Sequence, residues 1–437
     1  MLTKIKNIKE LYDKFVQFPF ICTDTRKIIP NSIFFCLKGE NFDGNLFVYE
    51  ALEKGAKFVV TENKNLSESI NIIVVDNVLD TLQQLAAYHR SQLDIPIIGI
   101  TGTNGKTTTK ELISSVLSKK FNTAFTQGNL NNHIGVPLTL LSITKEHEIA
   151  VVEMGANHVG EIEELCRITQ PDYGIITNIG KAHLEGFGSI ENIIETKTAL
   201  YRTAKVIFVN GEDEVLKQKA ESRRQKAESR RQKAENFNVV YFYGKNTEMD
   251  GEVVEMNPYL VINLWGKKIQ TLLTGNYNLN NILAAAAIGN YFGVPEQDIC
   301  DTIAEYRPQN NRSQIIKNNT NTIIADYYNA NPTSMKAALD NFLLIETPNK
   351  LAILGDMLEL GETSANEHQD IIDYCDTHKL ETIFIGEEFN KLKIHHFLFF
   401  KNVDDCNEYL KTKTIENTLI LIKGSRGIHL EKINLKS

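Results

Sequence analysis

Short runs of β-branched and aromatic residues alternate with stretches of helical spacing along most of the chain. Near the N-terminus the pattern predicts strands over Ser32–Lys38 (SIFFCLK, closed by Gly39), Lys57–Thr61 and Asn71–Val75. Leu46–Lys54 has helical spacing and stops at Gly55, and a further helix over Thr81–Leu93 runs into Asp94-Ile95-Pro96. A second block opens with a fully apolar strand, Ile97–Ile100, and a Gly-rich turn. It continues with strand candidates at Ile149–Val152, Tyr173–Thr177 and Val206–Asn210, separated by helical stretches as βαβ units require. A helix with the Ala-rich run Ala284–Ala287 closes it. The third block begins near Arg307-Pro308, with strands at Thr322–Ala325, Leu351–Leu354, Thr382–Ile385 and Thr418–Ile422. Three α/β domains in series are expected: residues 1–93, 94–306 and 307–437.

One segment breaks the pattern. Lys217–Glu235 repeats KAESRRQ with a period of seven. Each repeat holds one Ala and no large apolar residue, so there is no seam for a coiled coil to bury. It reads as a surface insertion from repeat expansion in preference to a basic binding patch.

At 437 residues the chain is long enough for several hydrophobic cores without disulfide or metal staples. Its net charge of −8 gives no overall field to hold nucleic acid or an anionic membrane, so neither is expected as a partner. Cys22, Cys36, Cys166, Cys300, Cys375 and Cys406 are too widely spaced for CxxC motifs and read as scattered buried thiols. The N-terminus lacks the apolar core of a signal peptide, and no apolar run approaches bilayer length. A soluble cytoplasmic protein is expected.

The sharpest chemical signal is Gly99-Ile100-Thr101-Gly102-Thr103-Asn104-Gly105-Lys106-Thr107-Thr108, between an apolar strand and a helix predicted over Thr109–Lys119. Glycines let backbone N–H groups converge on phosphate oxygens, and a helix N-terminus adds partial positive charge. Lys106 would reach the β- and γ-phosphates, and the Thr107 hydroxyl would ligate Mg²⁺. The strict pattern wants a Gly where Ile100 stands. A Gly-rich turn without a ligand is the alternative.

This loop has the form found in the Mur ligase family, which includes folylpolyglutamate synthase. TQGNLNNHIGVPLTL (Thr126–Leu140), VVEMGANHVGEI (Val151–Ile162), TNIGKAHLEGFG (Thr177–Gly188), DYYNANPTSM (Asp326–Met335), LGDMLELG (Leu354–Gly361) and KGSRG (Lys423–Gly427) resemble further motifs of that family, in the family's order. Asp24-Thr25-Arg26 and LKGENFDG (Leu37–Gly44) resemble its uridine-nucleotide-binding domain. The resemblance covers nearly the whole chain apart from the KAESRRQ segment. It implies an α/β fold of three domains: an N-terminal uridine-nucleotide-binding domain, a central P-loop ATPase domain whose mostly parallel sheet is flanked by helices, and a C-terminal Rossmann-like domain that closes over ATP and binds the dipeptide.

The implied reaction is ATP-dependent addition of D-Ala-D-Ala to UDP-N-acetylmuramoyl-tripeptide through an acyl phosphate, as in peptidoglycan synthesis. ATP and two Mg²⁺ ions are implied, and a monomer is expected. Gly102, Thr103, Asn104, Gly105, Lys106, Thr107 and Thr108 would cradle phosphates. Glu153, at the end of an apolar strand, would hold the ATP-bound Mg²⁺ with Thr107, and His183 a second ion. The resemblance makes Lys106, Lys197 and His183 the catalytic positions. It further implies that Lys197 is carbamylated and so becomes an oxygen-donor metal ligand; a solvated helix lysine is the alternative. The family's usual Glu two residues on is Ala199 here. Asn278 and Asn281 resemble the adenine-contacting asparagines, although helix capping also suits Asn. Tyr277 replaces a His beside them. Asp326 would meet the ribose. Arg312 would meet the phosphates, in Asn310-Asn311-Arg312 where the family usually has Pro-Gly-Arg. These C-terminal residues reach ATP only if the third domain closes over the second.

The substrate candidates are Asn129 and Asn132, then Asn329, Asn331 and Ser334 beside the incoming dipeptide, with Asp356, Glu359, Lys423 and Arg426 near it. Asp24, Arg26, Lys38 and Asp43 are the candidates for the uridine-nucleotide end. The rival readings are a neighbouring ligase that adds a single diamino acid, a folate polyglutamylating enzyme and a non-catalytic ATP-gated binding module. The first rival typically carries an Asn-Pro-Arg motif where this chain has Asn331-Pro332-Thr333.

Overall fold

The computed structural model describes residues 3–4, 7–66, 69–229, 239–309, 311–318, 320–394 and 396–435. Asn310 and the end of the repeat segment, residues 230–235, lie outside the described residues.

The N-terminal sheet is parallel throughout, in the order Thr3–Lys4, Ile72–Val74, Phe58–Thr61, Ile33–Phe35, Ile21–Cys22. Its three inner strands carry the β-branched and aromatic runs read from the sequence, and the two-residue edge strands Thr3–Lys4 and Ile21–Cys22 add to them. Two helices, Ile8–Gln17 and Val78–Arg90, cover one face, and Leu11, Phe15, Leu82 and Ala86 are buried there. The same apolar cluster continues through Val136, Leu140, Ile162 and Leu165 of the next block, so the two blocks share a core. Arg90 fastens this junction by donating to Asp172 at 2.8 Å and to the Thr169 carbonyl at 3.1 Å.

The central sheet has six parallel strands, in the order Val239–Tyr243, Val206–Asn210, Tyr173–Ile176, Ile97–Thr101, Ile149–Glu153, Thr123–Phe125. Helices on both faces make the strands fully apolar, which is why they read as continuous runs. A small antiparallel sheet, Gly251–Met256, Leu260–Leu264 and Lys267–Gln270, adjoins it and was not predicted. The third sheet runs Gln314–Asn318, Asn321–Asp326, Leu419–Lys423, Lys350–Gly355, Thr382–Ile385, Leu398–Phe400, with only the first pair antiparallel. All six cysteines are buried free thiols. No helix among the described residues is long and apolar enough to cross a membrane.

The repeat begins inside a helix, Glu214–Ser229, and its first copy is not a free insertion. Ala220 is fully buried beside Leu216 in the core shared by the first two blocks. Arg223 Nη2 donates to the carbonyls of Ala204 at 2.5 Å and Lys205 at 3.1 Å. A single Ala and the stem of an Arg suffice to cover the spot, so the apolar content of the repeat gives no sign of this packing.

Candidate functional site

Four loops leave the C-terminal ends of neighbouring central strands and converge, the usual place for a ligand in an open parallel sheet. The Gly-rich loop follows Ile97–Thr101, and the helix Lys106–Leu117 follows the loop. Gly102 has φ of 145°, and a Cβ there would lie 2.0 Å from Thr177 Oγ1. Gly105 has φ of 77°, and its Cβ would meet Asn281 Oδ1 at 2.7 Å. Both positions therefore require glycine. Asn178 sets the loop's shape: Thr103 N donates to its carbonyl at 3.0 Å and Asn104 N to its Oδ1 at 3.0 Å. Thr177 Oγ1 donates to the Asn104 carbonyl at 2.6 Å.

A cavity of about 660 Å³ opens over this loop. Residues 103–108 form one wall, and Glu153 lies at its floor. Glu153 Oε1 accepts from Asn131 Nδ2 at 2.7 Å and from Thr107 Oγ1 at 3.2 Å, whereas its buried Oε2 has no hydrogen-bond partner. Lys106 Nζ donates to the carbonyls of Gly102 at 2.8 Å and Thr103 at 3.0 Å. Burial pulls its ammonium down to about 8; Glu153 opposes that shift and Arg312 adds to it. Lys110, one turn further on, is buried with its Nζ on the Thr126 carbonyl at 2.8 Å, and desolvation holds its pKa below the ordinary value.

Asn278 and Asn281 lie buried at another wall, at the start of the helix Asn278–Tyr291. Asn281 Nδ2 donates to Asn278 Oδ1 at 2.7 Å, and its own Oδ1 accepts from Thr109 Oγ1 at 3.0 Å. The third block supplies the roof. Arg312 stacks on the Tyr328 ring at 3.7 Å, with Nε buried and unpaired. Asp326, at its strand end, accepts from Lys423 Nζ at 2.7 Å and from Ser313 N at 3.0 Å. Asn329, Asn331 and Ser334 also line the cavity, and Asn331 Nδ2 donates to Asn104 Oδ1 at 2.8 Å. Lys181 bridges the blocks as well, through Glu367 at 2.8 Å. The central and third blocks thus meet over the loop.

His183 lines the cavity in the left-handed region, with φ of 50°. Its Nδ1 lies 2.5 Å from Glu359 Oε2, and that contact holds the Glu359 carboxyl below its usual range. Lys197 does not line the cavity. It is buried behind the loop, with Nζ donating to the Gly102 carbonyl at 3.1 Å. Desolvation, followed by the nearby Lys106 charge, pushes its pKa well below the ordinary value, opposed by Glu161.

Several candidates are placed elsewhere. Asp356 is 2% exposed and accepts from the backbone N–H groups of Glu388 and Phe389, both at 2.9 Å. It therefore caps the helix Glu387–Lys391 and is not among the residues lining the cavity. Arg426 lies 5.7 Å from the Tyr328 ring without lining the cavity itself. Asn129 and Asn132 line it, but Asn132 Oδ1 is engaged by the N–H groups of Ile134 at 3.1 Å and Gly135 at 2.9 Å. Asn131, between them, is the amide that reaches Glu153. Asp24, Arg26, Lys38 and Asp43 sit on the N-terminal block away from this cavity. Arg26 pairs with Asp24 at 2.8 Å, which lowers the Asp24 carboxyl to about 2, and Lys38 pairs in register with Asp43 on a short hairpin.

Among the described residues no group of three or more His, Cys, Asp and Glu side chains could hold a metal alone. The unpaired Glu153 oxygen beside the Thr107 hydroxyl is nevertheless a hard-oxygen pair of the kind Mg²⁺ accepts when phosphate and water complete its shell.

Comparison with known proteins gives a consistent match along the chain. Sequence profiles match over residues 17–90 (Mur ligase family, catalytic domain), 100–289 (Mur ligase middle domain) and 311–426 (Mur ligase, glutamate ligase domain). The chain is 36% identical to UDP-N-acetylmuramoyl-tripeptide–D-alanyl-D-alanine ligase of Bacillus subtilis, over 94% of this chain and 92% of that protein. It is similar to a crystal structure of MurF from Acinetobacter baumannii, with TM-score 0.84, 31% identity and coverage of 94% and 92%. It is also similar to the Thermotoga maritima MurF structure in complex with ADP, with TM-score 0.79, 26% identity and coverage of 95% and 96%.

Proposed function

The chain belongs to the Mur ligase family, and from that premise we propose that it joins D-alanyl-D-alanine to UDP-N-acetylmuramoyl-tripeptide. The reaction consumes ATP, releases ADP and phosphate, and yields the UDP-N-acetylmuramoyl-pentapeptide for peptidoglycan synthesis. The observation that carries this reading is one cavity shared by the Gly-rich loop, Glu153 and the third-block residues Arg312, Asp326 and Asn331.

The chemical difficulty is bringing anionic ATP to an anionic carboxylate. The loop N–H groups and Lys106 would take the β- and γ-phosphates, and Arg312 would add positive charge from the roof. Asn278 and Asn281 would face adenine, and Asp326 the ribose. The tripeptide carboxylate attacks the γ-phosphorus and ADP leaves. The dipeptide amine then attacks the acyl carbon, the carbon–oxygen bond to phosphate breaks, and the amine gives up a proton. The roof over the loop would keep water from the acyl phosphate.

Thr107 and Glu153 would hold one Mg²⁺; His183 and Lys197 are the proposed ligands of a second. Bound Mg²⁺ would offset phosphate charge during transfer. We propose that Lys197 is carbamylated. Reaction with CO₂ needs a neutral amine, and the buried setting of Lys197 favours that form. Asn329, Asn331 and Ser334, with Glu359, Lys423 and Arg426 near them, would receive the dipeptide. Asn129 and Asn132 would face the tripeptide, while Asp24, Arg26, Lys38 and Asp43 would serve the uridine nucleotide. Asp356 would act by shaping the third block. A monomer is the proposed state, and the cytoplasm, where ATP is available, is the proposed location.

Phosphate release from ATP, Mg²⁺, UDP-N-acetylmuramoyl-tripeptide and D-Ala-D-Ala, with each component omitted in turn, tests the reading. Release that needs both peptides is expected. Release with UDP-N-acetylmuramoyl-dipeptide and a single diamino acid in place of these two would move the assignment to the neighbouring ligase. Release indifferent to both would favour an ATP-gated binding module.

A further inference from the structure

The connection between the central and third blocks carries an unusual set of contacts. It leaves the helix Glu296–Glu305 at Tyr306, whose hydroxyl donates to Glu111 Oε2 at 2.6 Å on the helix that follows the Gly-rich loop. Before it enters the strand Gln314–Asn318, Asn311 and Ser313 adopt φ of 57° and 52°. Asn tolerates that left-handed region, but Ser adopts it rarely, so contacts must hold Ser313 there.

Those contacts come from both blocks. Ser313 N donates to Asp326 Oδ1 at 3.0 Å, and its Oγ shares a 2.7 Å hydrogen bond with the Tyr277 hydroxyl. Tyr277 directly precedes Asn278 on the cavity wall, and Gly275 makes room for it: a Cβ there would lie 2.4 Å from the Tyr277 ring. The other Asp326 oxygen takes Lys423 Nζ, and these two residues are register partners on adjacent parallel strands. Tyr277, Ser313, Asp326 and Lys423 all line the cavity. Asp326 and Lys423 belong to the third block, and Tyr277 to the central block. A rotation that carries Ser313 with Asp326 away from the central block would therefore break the bond between Tyr277 and Ser313.

We propose that the Tyr277–Ser313 hydrogen bond is a positioning device that couples nucleotide binding to the seating of the third block. The inference rests on the proposal above that this cavity takes a nucleotide. A nucleotide that orders the wall at Tyr277–Asn281 favours the arrangement in which Ser313 is bonded. By reciprocity, the bonded connection then tightens the nucleotide.

The test uses the full chain with ADP and Mg²⁺, so it reads binding without requiring turnover. Calorimetry gives ADP affinity, and X-ray scattering gives the change in radius of gyration on adding ADP. Tyr277→Phe keeps the ring and removes only the hydroxyl; Ser313→Ala removes the other partner. Each is expected to weaken ADP binding by about tenfold, the scale of one lost hydrogen bond, and to reduce the ADP-dependent compaction. The double variant is expected to be no weaker than either single one, because both lose the same bond. In turnover, KM for ATP is expected to rise more than kcat falls. If one variant fails to fold, the other carries the same measurement. A lowered Tm with unchanged ADP affinity, or additive losses in the double variant, would overturn the proposal. Failure of the unsubstituted protein to bind ADP would overturn the nucleotide reading as well; binding that neither substitution alters would overturn this inference alone.

Discussion

Asn331 of the third block donates its side-chain N–H to Oδ1 of Asn104 on the Gly-rich loop at 2.8 Å. The same Asn331 caps the helix Pro332–Leu344, where its Oδ1 accepts from Ser334 N. One amide thus ends a helix with one atom and touches the phosphate loop with the other.

These two roles are separable. Asn331→Ser keeps a good N-cap but is too short to reach Asn104, so kcat/KM for ATP is expected to fall about tenfold with Tm nearly unchanged. Asn331→Ala is expected to lose a further ~1 kcal/mol of stability with the cap. Equal Tm losses in both variants would contradict this separation, because Ser keeps the cap and both variants lose the contact to Asn104.

Glu153→Gln is nearly isosteric and can still accept from Asn131 and Thr107 through its remaining oxygen. It removes the charge and alters the unpaired Oε2. Phosphate release is expected to drop by roughly 10²–10³-fold, with a weakened response to added Mg²⁺. A Mg²⁺ titration of the purified variant checks this; an unchanged midpoint would contradict the assignment of Glu153 as a metal ligand.

The buried strands were legible because their residue types carry the signal. Val206–Asn210 and Thr382–Ile385 are β-branched or aromatic runs with turns at both ends, and they match to the residue. The small antiparallel sheet escaped notice because strands such as Gly251–Met256 mix Gly and Glu with Val and are half exposed. The Gly-rich loop was legible in local sequence alone. Asn131 was not: in NLNNH three amides look equivalent, and only the fold turns Asn131 toward Glu153 while Asn132 caps the next helix. Nor was Asp356, whose motif suggested a ligand but whose carboxylate is used up inside the third block.

The repeat segment offers a length test. Removing residues 226–232 deletes one seven-residue period and leaves Ala220 and Arg223 in place. Activity and Tm are expected to stay near those of the parent. Removing 217–235 takes away the buried Ala220 and the Arg223 contacts to Ala204 and Lys205. That deletion is expected to lower Tm by several degrees. Indistinguishable melting curves for the two deletions would contradict the packing described here.

His89 sets a pH dependence at the junction of the first two blocks. Burial lowers its pKa below 6.5, opposed by its 2.8 Å contact with the Ile143 carbonyl. The unfolded chain therefore takes up this proton at a higher pH than the folded one does. The corresponding stability is complete above the unfolded value and is lost as pH falls below it. Between about pH 7 and about pH 5, Tm is expected to fall more steeply in the parent than in His89→Gln. Parallel slopes in scanning calorimetry would remove His89 from the account.

In the proposed reaction the cavity passes a phosphoryl group to a carboxylate before the amide forms. The direct measurement uses UDP-N-acetylmuramoyl-tripeptide with ¹⁸O in its terminal carboxylate, together with ATP, Mg²⁺ and D-Ala-D-Ala. One ¹⁸O is expected in the released phosphate for each pentapeptide formed, with little labelled phosphate when the dipeptide is withheld. Phosphate released without label, with or without pentapeptide, would contradict it.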